Sequence, residues 1–118
     1  MSRVLVVDDA EFVRTKLTNM LRHHGHEVVE AANGQEAVDR YRAANPNIVL
    51  MDITMPIMDG IQAAQAIRAM DRDARIVICS ALGQQRMVLD AIRAGAKDFI
   101  VKPYSPDRVL DAVLKWKR

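Results

Sequence analysis

Residues 3–9 read Arg3-Val4-Leu5-Val6-Val7-Asp8-Asp9, an unbroken apolar run closed by two acids. A strand that is apolar at successive positions, rather than at alternate ones, needs cover on both faces, and helices on the two sides of a parallel sheet supply it. Two further runs repeat the pattern: Ile48-Val49-Leu50-Met51 ends in Asp52, and Ile76-Val77-Ile78 leads into Cys79-Ser80. Together with two weaker segments they predict strands over residues 3–8, 26–30, 47–52, 74–80 and 98–101. The intervening segments have helical period. Val13, Leu17, Met20 and Leu21 form one apolar stripe, and Ile61, Ala64, Ile67 and Met70 another. Gly25 and Gly95 stand where helix C-termini are expected, and Ser105-Pro106 reads as an N-cap followed by proline in the first turn.

Alternation of this kind implies an α/β fold of five strand–helix units on a doubly wound parallel sheet. The flavodoxin-like strand order 2-1-3-4-5 is the expected one, although spacing alone does not fix it. The 118 residues suffice for one domain, with no biased linker or repeat to mark a second. Half of the residues are hydrophobic and 27% are charged, which excludes a disordered or low-complexity chain. No apolar run is long enough to span a bilayer and no signal peptide is legible, so a cytoplasmic, membrane-free protein is expected. The single Cys79 excludes an internal disulfide and any multi-cysteine metal site. Seventeen basic against 15 acidic residues, a net charge of +2, gives no reason to expect nucleic-acid binding.

Parallel strands joined by right-handed crossovers all emerge at one edge, where open α/β sheets bind ligands. The residues that the apolar runs deliver there are Asp8 and Asp9, Asp52, Ser80 and Lys102. Taken singly, each has an ordinary reading: an aspartate capping a helix, a solvated strand end, a turn serine, a surface lysine. Their convergence from four strand ends is what points to chemistry. Carboxylates crowded together raise one another's pKa unless a cation relieves them, and oxygen-only ligands suit Mg²⁺. A carboxylate so placed can attack phosphorus, with Lys102 and the Ser80 hydroxyl available to the phosphoryl oxygens.

The segments Val6-Val7-Asp8-Asp9, Met51-Asp52-Ile53-Thr54-Met55-Pro56 with Met58-Asp59-Gly60, Ser80-Ala81 and Lys102-Pro103 resemble the receiver domain of two-component response regulators, over the whole chain. Within that family the stretch 95–103 is most similar to stand-alone chemotaxis regulators. The resemblance implies Asp52 as phosphoacceptor, fed by a histidine kinase. It implies Mg²⁺ bound by Asp9, Asp52 and the backbone carbonyl of Thr54, with Asp8 acting through water. Lys102 would pair with the phosphoryl group, and its bond to Pro103 would be cis. Ser80 and Phe99 would form the switch, Phe99 lacking the hydroxyl of the tyrosine found in many such regulators. A surface carrying Gln85, Arg86, Leu89, Arg93 and Tyr104 would meet the target, expected to be the flagellar motor switch. A monomer is expected, turned over by its own chemistry or by a phosphatase, with apolar Leu82 slowing water entry. The rival within the family is a phosphorelay intermediate that passes its phosphoryl group to a histidine phosphotransferase.

Two other classes compete. A Mg²⁺-dependent phosphatase needs a general acid/base near Asp52, which neither Ile53 nor Thr54 offers. A flavin-nucleotide binder needs an anion-accepting loop where Asp8-Asp9 place negative charge. His23, His24 and His26 raise a transition-metal site as an alternative to a solvated helix end. Cys79 reads as a buried small side chain and Trp116 as helix packing far from Asp52.

Overall fold

The computed structural model describes residues 2–118. The strands are β1 (Arg3–Val7), β2 (Glu27–Ala31), β3 (Ile48–Asp52), β4 (Ile76–Ser80) and β5 (Asp98–Val101). The helices are α1 (Glu11–His23), α2 (Gly34–Ala44), α3 (Gly60–Met70), α4 (Gln85–Arg93) and α5 (Pro106–Trp116). All strand pairs are parallel in the order β2-β1-β3-β4-β5, as expected from the sequence. Only the ends differ. Asp8 lies just past β1, His26 just before β2, which runs on to Ala31, Asn47 just before β3, and β4 starts at Ile76 rather than residue 74, because turn and cap bonds claim most of the flanking residues.

The apolar runs divide between two core layers by simple alternation. Leu5, Val7, Val49, Met51, Ile76 and Ile78 face α2, α3 and α4, where Ala37, Ala63, Ala64, Ile67 and Ala91 let the helices approach closely. Val4, Val6, Ile48, Leu50, Val77 and Ile100 face the other way, against Leu17 and Leu21 of α1 and Val109, Ala112 and Val113 of α5. One member of the predicted stripe on α3 departs from this. Met70 is exposed and its sulfur accepts from Arg42, because the helix ends there and Ala63 completes the buried face instead.

Gly25 and Gly95 do end helices. At α1 the amides of Gly25 and His26 return to Arg22 and Leu21, and at α4 those of Gly95 and Ala96 return to Ile92 and Ala91. Both glycines have positive φ, 86° and 114°, as this helix-ending motif requires. Ser105 accepts from the Arg108 amide and caps α5, with Pro106 in the first turn. No described helix is long and apolar enough to cross a membrane.

Candidate functional site

Because β1 pairs with β3 and β3 with β4, the strand ends at Val7, Asp52 and Ser80 lie side by side. A carboxylate oxygen from each of Asp8, Asp9 and Asp52 falls within 4.8 Å of the others, the one such cluster of metal-ligating types among the described residues. The Lys102 ammonium enters from the end of β5. Its Nζ donates to Asp8 Oδ2 at 2.9 Å and sits 3.2 Å from Asp52 Oδ1. Lys102 itself is placed by its own amide, which donates to the Ser80 carbonyl, and its bond to Pro103 is cis.

Neither Asp8 nor Asp9 caps α1, whose N-cap is Ala10 without a side-chain bond. Asp8 instead accepts the Ala10 amide at 2.9 Å, which folds the β1–α1 turn and aims its second oxygen at Lys102. Arg14 braces the same turn, donating to the Asp8 carbonyl at 2.7 Å and to Glu30 at 3.0 Å. Sequence reading missed this residue. Its role depends on Glu30 of β2, which no local pattern links to α1.

The segment after β3 is held from the other side. The Gly60 amide donates to Ile53 O at 2.7 Å, and a Cβ on Gly60 would come within 2.1 Å of the Asp52 carbonyl oxygen. Gly34 meets Met58 O as closely, its amide donating at 2.9 Å. Asp59 and Gln62 exchange side-chain bonds with each other's amides in a capping box at the start of α3. Glycine is required at 60 by contact rather than by dihedral.

Burial pushes the Asp52 carboxyl up, Lys102 opposes the rise, and the Asp8 charge adds to it. Repulsion among the acids is therefore real but second to desolvation. Burial alone would lower Lys102, yet its hydrogen bond to Asp8 and the Asp52 charge raise it, so the ammonium is firmly charged. The donor set is all oxygen, with one cation among three acids, and this fits a hard divalent ion such as Mg²⁺.

The remaining candidates sort by position. Ser80 is buried at the end of β4, while Phe99 is 41% exposed on β5. A cavity of about 320 Å³ lies between them, lined by Ser80, Val88, Leu89, Phe99 and Val101 among others. Gln85, Arg86, Leu89 and Arg93 are exposed on α4, and Leu82 is exposed in the loop before it. Tyr104 does not join them, because its half-buried ring packs into the α1–α5 layer and lines a groove with Phe12 and Lys16. His23 and His24 stack edge-to-face and His24 Nδ1 meets Met20 O, so the histidines do not converge on a metal. Cys79 is buried beside the acids, its thiol pushed up to about 12 by desolvation. Trp116 packs on the second core layer and donates to Asp98 at the start of β5, the edge remote from Asp52.

Residues 4–114 match the response regulator receiver domain, and the chain belongs to that family. Its relatives include the chemotaxis protein CheY of Bacillus subtilis, 57% identical over 114 residues covering 96% of this chain and 95% of the relative. CheY of Thermotoga maritima is 55% identical with the same coverage. Among solved structures, the CheX–CheY–BeF3–Mg²⁺ complex of Borrelia burgdorferi superposes with a TM-score of 0.88 at 42% identity, over 96% of this chain and 87% of that one. The protein is thus a CheY-like receiver of two-component signalling.

Proposed function

We propose that Asp52 accepts a phosphoryl group from the phosphohistidine of a histidine kinase, and that the acyl phosphate changes the protein's affinity for a partner. The observation that carries this reading is the single Lys102 ammonium set between Asp8 and Asp52 within a cluster of three carboxylates. In the transfer, an Asp52 carboxylate oxygen forms a bond to phosphorus as the phosphorus–nitrogen bond breaks, and the departing imidazole keeps the electron pair and takes up a proton. Lys102, firmly charged, leaves Asp52 for the new phosphoryl oxygens and keeps its bond to Asp8. Asp9, Asp52 and the Thr54 carbonyl, with Asp8 through water, would hold Mg²⁺, which supplies the positive charge that phosphoryl transfer requires. Ser80 turning toward the phosphoryl group would open room for the Phe99 ring in the adjoining cavity, a population shift between two packings.

The identity with chemotaxis proteins along nearly their full length favours a stand-alone regulator acting on the flagellar motor switch through α4 and β5. Intact-mass spectrometry after incubation with Mg²⁺ and acetyl phosphate tests the chemistry. One phosphoryl group should appear only with Mg²⁺ and should be absent in Asp52→Asn; an adduct that persists in Asp52→Asn moves the nucleophile elsewhere. Phosphorylation-dependent binding to an N-terminal peptide of a flagellar switch protein supports the motor as target, whereas efficient transfer to a histidine phosphotransferase would replace it with a relay.

A further inference from the structure

Gln84 occupies the N-cap of α4, yet its side chain caps nothing in that helix. It reaches backward and sideways instead. Its Oε1 accepts the Ala81 amide at 2.6 Å, while its Nε2 donates to Thr54 Oγ1 at 3.0 Å and contacts Met87 Sδ at 3.6 Å. One amide group thereby joins the loop after β3 to the loop after β4, the two strands that carry Asp52 and Ser80.

The Lys102 amide holds the Ser80 carbonyl at 2.7 Å, and beyond that peptide little else fixes the second loop. The backbone bond from Gln84 N to Ala81 O is long, at 3.3 Å, and Gly83 has a φ of +90° with no atom near the position a Cβ would take. Ala81 directly follows Ser80, so the bond to its amide holds the N–H side of the peptide whose carbonyl Lys102 holds, and with it the start of the loop beyond Ser80. The bond also occupies an N–H at the very edge where a phosphoryl oxygen would seek donors.

We propose that Gln84 is a latch: by joining Ala81 to Thr54 it holds the β4–α4 loop in its phosphoryl-free position, and the loop must release it before β4 can engage an acyl phosphate. The inference rests on the phosphoacceptor reading of Asp52. It makes the resting state a held state, with the equilibrium between the two packings set partly by a residue that touches neither metal nor nucleophile.

Titration with beryllofluoride at saturating Mg²⁺, followed by amide NMR shifts, tests it on the intact protein. Gln84→Ala should bind about fivefold more tightly than the wild type, the factor that corresponds to one net hydrogen bond in the free state. Thr54→Val, which leaves α4 and the Thr54 carbonyl untouched, should shift affinity in the same direction. In the free protein, hydrogen exchange at the Ala81 amide should quicken in Gln84→Ala. Affinity that is unchanged or weaker in both variants overturns the latch, and tightening in Gln84→Ala alone removes the bridge to Thr54 from it. Failure of the wild type to take up either beryllofluoride or a phosphoryl group from acetyl phosphate instead overturns the reading of Asp52 on which the latch depends.

Discussion

Asp52 and Asp71 are the same residue type at opposite edges of one sheet, and their carboxyls are displaced in opposite directions. At the N-terminal edge Asp71 accepts from the Tyr41 hydroxyl at 2.7 Å and pairs with Arg118, and these partners hold it below its ordinary value. Arg3 pairs with Glu27 there, and Asn47 receives the Arg118 amide on its carbonyl while its side chain donates to Arg118 O. At the C-terminal edge three carboxylates cluster with a single cation, Lys102, which pairs with Asp8 and Asp52, and Asp52 is raised. One edge uses charge to close the fold, and the other keeps charge in excess for something that arrives later. The ionisable residues are similar, and what differs is whether each acid finds its own donor.

If that contrast is right, removing the cation should hurt far more at the second edge. Lys102→Met leaves two largely buried carboxylates facing each other, and should lower metal-free stability by about 2 kcal/mol, below the full effect of breaking a buried pair because the lysine is partly exposed. Millimolar Mg²⁺ should restore much of the loss in urea unfolding. An equal loss with and without Mg²⁺ would erase the distinction between the two edges.

Tyr41→Phe probes the closed edge and should cost about 1 kcal/mol at neutral pH, the size of a partly exposed hydrogen bond to a charged group. Asp71 is depressed in the folded state, so its contribution is present above the unfolded carboxylate value near 3.9 and disappears as pH falls through the lower folded value. The difference between Tyr41→Phe and wild type should therefore shrink in unfolding measured below about pH 4.

The smallest effect belongs to His26, also at the closed edge, whose Nδ1 is buried without a partner. Burial lowers its pKa, with the Lys117 charge assisting. Above the unfolded value of about 6.5 both states are neutral and stability is unaffected; below it the unfolded chain binds the proton more readily, so stability declines. A shallow loss that sets in as pH falls below about 6.5, flattened in His26→Gln, is the expected outcome.

The strand runs and the helix ends were legible because each is written in contiguous residues. Val4 to Val7 announces a strand covered on both faces, and Gly25, Gly95 and Ser105 announce caps, all within one or two turns of chain. The site was legible for a related reason: in a parallel sheet the residue after each apolar run goes to a common edge, so Asp8, Asp52, Ser80 and Lys102 can be gathered from the sequence alone. What escaped is held by distant partners. Arg14 with Glu30, Gln84 with Thr54, and Tyr41 with Asp71 join residues that share no period, and only the packed sheet brings them together. Tyr104 was misjudged for the same cause, since a loop position next to Pro103 does not reveal which side of the sheet the ring will take.

The fit of Gly60 against the Asp52 carbonyl has a mechanical consequence. That contact, the bond to Ile53 and the capping box clamp the strand that carries Asp52 to α3, so this flank of the site acts as the fixed anvil. On the other flank α4 has nine residues, no side-chain cap and an unpacked glycine before it. A push delivered at Asp52 would find only one flank that can yield, and the architecture would thereby direct it toward α4 and the exposed residues it carries.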